Sequence, residues 1–283
     1  MRRVWEIPNR AWTYWSQGAE DLPRIIQICL ESWEVRGGFE SVKVLDCETV
    51  HEYLPQGTLP SSFRHLPPQL QSDFVRLALL REYGGVWMDA STLVSAAVVP
   101  WLEALHLQSG LFLFQNPGGV GGRLFETGFM ASRPQHQFVV DWYSLLASLF
   151  SRNRVHGAHS RSSDAPLAYK KIFAFMNQYL RKAPHLSALW AKWPLSWLPF
   201  YPFFIVHYSG NAVLQQESHS NELARIPIVL AKEYLAIRDI SNKRGWNNAL
   251  ESPALRSSPV HDVEFRKPLS DIEVLALRNF VQK

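Results

Sequence analysis

Between Ser72 and Thr92 the chain reads SDFVRLALLREYGGVWMDAST, and three side chains in it have the types and spacing to grip a ligand. Asp73 and Arg76 fall on one helical face with Leu80, by i,i+3/i+4 spacing. Ser72 is the expected N-cap, which would set Asp73 in the first turn, near the positive end of the helix dipole. Gly84 and Gly85 supply the conformational freedom that ends a helix. Val86, Trp87 and Met88 read as a short buried strand. Asp89 leaves that strand at its carboxyl end, where open α/β sheets place their ligand sites. A helix offering Asp and Arg beside a strand that ends in Asp suits a polyhydroxylated, phosphorylated ligand. The plainer alternative is a surface Asp73–Arg76 pair and an Asp89 that only starts a turn.

The full spacing, SDxxRxxxLxxxGGxWxDxx, resembles that of GT-A glycosyltransferases of family 32 and the related capsular polysaccharide synthesis proteins. The resemblance implies that Asp73 and Arg76 contact the donor sugar or its ribose, and that Asp89 is the first Asp of a DxD motif. Ser91 stands where many relatives carry the second Asp, and Asp89-Ala90-Ser91 fits the capsular subgroup. The implied cofactor is a divalent cation, Mn²⁺ or Mg²⁺, with Asp89, Ser91 and His261 as ligands. A neutral hydroxyl is a weaker ligand for a hard cation than a carboxylate, so a looser metal dependence is expected.

The elements that must position these residues follow from local pattern. Ala11 to Trp15 reads as a strand. Pro23 opens a helix with an apolar stripe of Ile25, Ile26, Cys29, Leu30 and Trp33. Val42 to Leu45 is a second strand, and strand-helix-strand order argues for a parallel βαβ unit. IPNRAWTYWSQG through VKVLD resembles the family opening IPKIIWTYWDQG. By that resemblance Trp15, and after it Trp12, flanks the nucleotide base; as strand residues both also fit the core. Leu54 to Pro68 reads as loop. Leu93 to Val99 fits a strand or a short helix, and Gly110 to Gln115 a strand. The glycine-rich Asn116–Gly122 stretch lacks a Walker lysine and reads as a linker or a mobile loop. FETGFMAS, from Phe125 to Ser132, matches a family strand beside the acceptor, which makes Glu126 and Thr127 candidates at the reaction centre. Gln137 to Phe150 and Ala165 to Leu180 read as helices.

Later resemblances are patchier. PFFIVHYSGN is similar to a helical PYFxFHYLF segment, with His207 at its His on the acceptor side. SPVHDVEFRK resembles a late SPIHKLTYK motif, in which His261 matches the His and Arg266 the final Lys that would grip the diphosphate; Arg76, Arg266 and a metal at Asp89 are expected to stabilise the charge of that leaving group, which makes Asp89 and Arg76 the catalytic candidates. Asp262 replaces the motif's first Lys.

Composition narrows the class. The 283 residues are 47% hydrophobic and 19% charged, which suits one sizeable domain. The net charge of +4 is modest, with no basic stripe or nucleic-acid module, so nucleic acid is not an expected partner. Cys29 and Cys47 read as reduced structural thiols. No apolar run is long enough to span a bilayer, and polar Glu6, Asn9 and Arg10 follow Met1-Arg2-Arg3, so a cytoplasmic location is the expectation. Ser151 to Ser163 is polar and basic and reads as a solvated loop. Trp190 to Phe204, WAKWPLSWLPFYPFF, is aromatic, proline-broken and flanked by Arg181, Lys182 and Lys192. It fits either the headgroup region of an anionic membrane, making the protein peripheral on its inner face, or a lid over the site.

The reading is one α/β domain over residues 1–283, GT-A-like (Rossmann-like) and nucleotide-sugar-binding, with a twisted, mostly parallel sheet and helices on both faces. Residues 1–135 form the nucleotide-sugar core. Residues 136–283 form an acceptor-side helical part, rich in aromatics, with the C-terminal motif. The expected activity is transfer of a sugar from a nucleotide-sugar to a glycan or lipid-linked glycan, with retention implied by the resemblance. A degenerate fold that binds glycan without turnover, or a transferase that modifies a protein, are the alternatives; Ser91 and Asp262 favour the former.

Overall fold

The computed structural model describes residues 6–150, 167–180, 184–192, 201–263 and 268–283. Arg266, Trp193, Trp197 and the basic run Ser151–Ser163 lie outside the described residues. The strands are β1 (Arg10–Tyr14), β2 (Ser41–Leu45), β3 (Gly85–Met88), β4 (Thr92–Val94), β5 (Leu111–Gln115), β6 (Phe125–Ser132) and β7 (Val260–Asp262). The first helices are α1 (Arg24–Arg36), α2 (Val50–Tyr53), α3 (Pro68–Tyr83), α4 (Val98–Ala104) and α5 (Gln137–Phe150). They are followed by α6 (Leu167–Leu180), α7 (Pro184–Ser187), α8 (Ile205–Leu214), α9 (Ala231–Arg244), α10 (Trp246–Glu251) and α11 (Asp271–Gln282).

Five strands form the main sheet in the order β2-β1-β3-β6-β5. β1 runs parallel to both β2 and β3, with α1 crossing between β1 and β2 as the sequence predicts. The sheet is not mostly parallel, however. β6 is antiparallel to β3 and to β5. The connection from β5 to β6, residues 116–124, is too short for a parallel crossover, so the chain turns back on itself. The result is an α/β domain with a mixed sheet.

The start of α3 also differs from expectation. The helix begins at Pro68, not Ser72, with Pro67 as its cap. Proline's fixed φ and missing N–H suit the first helical position. Asp73 therefore sits in the second turn, where the N-terminal dipole has largely fallen away. α3 is almost wholly buried from Leu70 to Leu80, Asp73 and Arg76 included. It ends at Gly84, whose φ of 62° belongs to the left-handed region. A β carbon there would lie 2.6 Å from Pro134 N and Ser132 O. Trp12 donates from Nε1 to the Gly84 carbonyl at 2.9 Å and packs against Tyr53 and Tyr83, so it is a core residue away from the ligand face.

A second, two-stranded sheet joins distant parts of the chain. β4 pairs antiparallel with β7, Thr92 opposite Asp262 and Leu93 opposite His261. Arg36, near the end of α1, ties three segments together. It donates to the Val281 carbonyl at 3.1 Å, to Ser95 O at 2.9 Å and to Phe280 O, and stacks over the Phe280 ring. Helix α1 thus packs on α11 through one apolar cluster that includes Ile25, Ile28, Leu277 and Val281, while the main core lies around β3, β5 and β6.

Gly84→Ala should lower stability by about 1–3 kcal/mol, because it adds left-handed strain and a backbone clash. Urea unfolding followed by far-UV circular dichroism measures this.

Candidate active site

The carboxyl ends of β1 and β3 and the ligand face of α3 open into a cavity of about 380 Å³. Asp73, Arg76 and Asp89 lie on its lining, Trp15, Ser91 and Thr127 line it as well, and Phe203, Phe204 and His207 close it from the C-terminal side. Sequence order put Asp73 and Arg76 on a helix and Asp89 after a strand. The fold brings them into hydrogen-bond contact.

Arg76 is the hub. Its Nη1 donates to Asp73 Oδ1 at 3.0 Å and its Nη2 to Asp89 Oδ1 at 2.7 Å. The arginine side chain is only 4% exposed, against 37% for that of Asp89. Trp87 adds a second donor to the same Asp89 oxygen, Nε1 at 2.9 Å, and its ring lies 5.2 Å from the Arg76 guanidinium carbon. The Asp89 backbone N–H is held by Gly128 O at 2.7 Å. Charge-assisted bonds of this kind are the strong ones, and two donors on Oδ1 fix the carboxylate plane. Oδ2 is the oxygen left for a ligand.

Burial dominates the protonation of the neighbouring acids. Asp73 is pushed up to about 7 by desolvation; Arg76 works against the shift and the Asp89 charge adds to it. Glu126 is also raised to about 7 by burial, against the pull of Arg123, whose Nη1 donates to its Oε2 at 2.7 Å. His207 sits behind Thr127, Nε2 3.3 Å from its hydroxyl, and burial drives its pKa well down, so it is neutral at pH 7. Glu126, Thr127 and His207 thus form one group; Thr127 and His207 line the cavity.

The C-terminal motif is placed differently from the expectation. Successive residues of a strand face opposite ways. On β7 it is Asp262 that reaches the site and His261 that does not. Asp262 accepts from Ser91 Oγ at 3.2 Å and from Arg238 Nη1 at 2.7 Å. Its carboxyl is raised to about 6, chiefly by burial, with Arg238 lowering it and Asp89 raising it. His261 is fully buried and meets Ser95 Oγ at 3.1 Å; burial lowers it to about 4. The structure therefore does not bring His261 to Asp89. The substitution that looked like a defect, Asp262 for Lys, supplies the second carboxylate beside Ser91.

Three further features shape the site, of which the first two were not read from the sequence and the third belongs to the run read as a membrane contact or a lid. Gly128 has no room for a side chain: a β carbon would lie 2.7 Å from Tyr234 Oη and 3.1 Å from Asp89 Oδ2. Arg238, on α9, reaches Asp262 across the small sheet. The Phe203–Phe204 pair forms a cavity wall, with the Arg123 guanidinium 4.8 Å over the Phe204 ring. Only the FETGFMAS pattern hinted at the first, through its single glycine on β6. Trp190 and Tyr201, at the described ends of the aromatic run, are buried.

Among the described residues no group of three or more His, Cys, Asp or Glu converges to hold a metal ion. Hard cations in phosphate sites commonly take one or two carboxylates and complete their shell with phosphate and water. Asp89, whose charge raises the Asp262 carboxyl, and Asp262, which accepts from the Ser91 hydroxyl, fit that pattern.

Comparison with known proteins gives the class. Residues 3–156 match the capsular polysaccharide synthesis protein family, and the chain belongs to that family. Among curated relatives, the O-glycosyltransferase braB of Annulohypoxylon truncatum is 26% identical over 171 residues, 53% of this chain and 40% of that protein. The glycosyltransferase afumC of Aspergillus fumigatus is 27% identical over 158 residues, 50% of this chain and 40% of that one. The O-glycosyltransferase PaGT of Phomopsis amygdali is 31% identical over 99 residues, 31% of this chain and 24% of that one. The matched part thus spans well under half the length of these relatives. Among solved structures, the PaToxG glycosyltransferase aligns over 77% of this chain and 84% of its own at 11% identity, with a TM-score of 0.36.

A carboxyl group whose folded pKa is raised costs stability as pH climbs from its unfolded value near 4 through the folded one near 7. Asp73→Asn removes that cost and keeps an acceptor for Arg76. It should raise stability at pH 8 by about 1–3 kcal/mol and leave it little changed at pH 4. Urea midpoints at the two pH values measure this.

Proposed function

We propose that this protein is a glycosyltransferase that moves a sugar from a nucleotide-sugar donor to a hydroxyl of a glycan or lipid-linked glycan, in surface polysaccharide synthesis and with retention of configuration. The observation that carries this reading is the Asp73–Arg76–Asp89 bridge on the lining of an aromatic-walled cavity. Membership of the family and the names of the fungal relatives support it at the level of glycosyl transfer.

Each residue then has a task. Trp15 flanks the base of the donor at the rim. Asp73 and Asp89 accept from donor hydroxyls and turn the anomeric carbon toward the acceptor, a positioning role. Arg76, spent on two carboxylates and nearly sealed from the cavity, acts by orienting them. Negative charge grows on the leaving diphosphate and has to be met by cations aimed there in advance. Arg238, the only cation described at the C-terminal edge through its bond to Asp262, and Arg266 are suited to that. A divalent cation, when bound, would neutralise the same diphosphate, held by Asp89, Ser91 and Asp262. On the other side Thr127, backed by neutral His207, receives the acceptor hydroxyl, with Glu126 buried behind them and held by Arg123. In a retaining displacement the departing phosphate itself can take the acceptor proton, so no separate nucleophile is assigned.

Melting shifts across a panel of nucleotide-sugars, followed by hydrolysis of the best binder, test the reading. Asp89→Asn, which keeps an acceptor for Arg76 and Trp87, should cut hydrolysis by about a hundredfold or more while the melting temperature holds. If no nucleotide-sugar shifts the wild-type protein, the donor reading is wrong.

The metal assignment has its own test. Mn²⁺ titration in the presence of a nucleoside diphosphate, read by electron paramagnetic resonance, should show Asp262→Asn weakening binding by about tenfold or more. His261→Gln should leave it within about twofold. The opposite order would restore His261 as the ligand.

A further inference from the structure

Helix α6 stands apart from the cavity and carries an apolar face in water. Leu167, Phe175 and Tyr179 are 68%, 64% and 59% exposed, although they are the side-chain types that folding normally hides. Leu167, Lys171, Phe175 and Tyr179 follow at steps of four and form one row along the helix. The Phe175 and Tyr179 rings are 5.1 Å apart, so they present a joint aromatic patch. The short helical turns that follow expose Leu186 and Leu189 as well, at 37% and 40%.

Charge says what such a face meets. From Ala165 to Gln216 the sequence holds no Asp or Glu, while Lys170, Lys171, Arg181, Lys182 and Lys192 fall within it. A protein partner of ordinary composition does not demand a long stretch cleared of every acid. An anionic bilayer does, because each acid would be repelled by the lipid headgroups as each lysine is drawn in. Exposed Phe, Tyr and Leu with flanking lysines are what an in-plane interfacial helix inserts at the headgroup boundary. No described helix is long and apolar enough to cross a membrane, so the contact would be peripheral.

We propose that α6, with Phe175 and Tyr179 as its anchors and Lys171 beside them, docks this protein on an anionic phospholipid surface. The inference stands apart from the donor reading, since it needs no sugar. It moves the membrane contact from the aromatic run near Trp190, whose described ends pack inward, to a helix on the outside.

Co-sedimentation with vesicles of phosphatidylcholine, with and without about a third phosphatidylserine, tests it. Wild-type protein should pellet with the anionic vesicles, stay in solution with neutral ones, and be released as salt screens the lysines. Phe175→Ser with Tyr179→Ser should lower the anionic partition by about tenfold. Because both side chains are exposed, the variant's melting temperature and nucleotide-sugar hydrolysis should match wild type. Lys171→Glu alone should weaken binding and its salt dependence. The proposal is overturned if wild type stays in solution at low salt, if the double variant pellets equally well, or if neutral vesicles bind as tightly. It is also overturned if sedimentation velocity shows the wild type as a dimer that the double variant dissolves, which would assign the face to a second copy of the chain.

Discussion

One buried guanidinium organises the site. Arg76 is sealed from solvent, and a cation in that position needs carboxylate partners, because a charge without them in the interior is very costly. It has two, Asp73 from its own helix and Asp89 from the end of β3. The pairing is not symmetric. Asp73 is buried enough that its proton is half retained near neutrality, whereas Asp89 keeps an open edge to the cavity. The arrangement therefore holds one carboxylate rigid and available, with the other as its adjustable counterweight. It also explains why α3 must pack flush against β3. If the helix slid by one turn, Arg76 would carry Asp73 with it and lose Asp89.

A second acid–base pair mirrors the first from the far end of the chain. Asp262 takes its bond from Arg238 and gives its other oxygen to Ser91, next but one to Asp89. A short hydroxyl at Ser91 leaves space that a carboxylate from β7 fills. The carboxylate beside Ser91 thus comes from the far end of the chain, through β7. Gly128 completes the arrangement by staying small where Asp89 and Tyr234 come together.

How much of this was legible in the sequence depended on the range of the interaction that decides it. The βαβ opening, the buried β3 and the β6 segment follow from apolar patterning over a few residues, and they stand in the structure nearly as read. The grouping of Asp73, Arg76 and Asp89 was legible because helix and strand are joined directly through Gly84-Gly85. The helix start was missed because Pro67-Pro68 outweighed Ser72, a competition between two acceptable caps. The antiparallel half of the sheet escaped because loop length, not strand composition, sets it. His261 and Asp262 were confused because alternation says that neighbours face opposite ways but not which one faces in. That choice is made by the register with β4, more than 160 positions away, and no local signal carries it.

The small β4·β7 sheet and the Arg36 clamp have a consequence for how the polypeptide comes off the ribosome. Helix α1 and β4 are made well before the surfaces that cover them, β7 and α11, which lie more than 160 positions further along the chain. Until then β4 presents an open edge and α1 an uncovered apolar stripe, the features that invite wrong pairing between nascent chains. The small sheet and the α1–α11 packing have to wait until β7 and α11 have been made, and in a cell that interval is where holding chaperones would be needed.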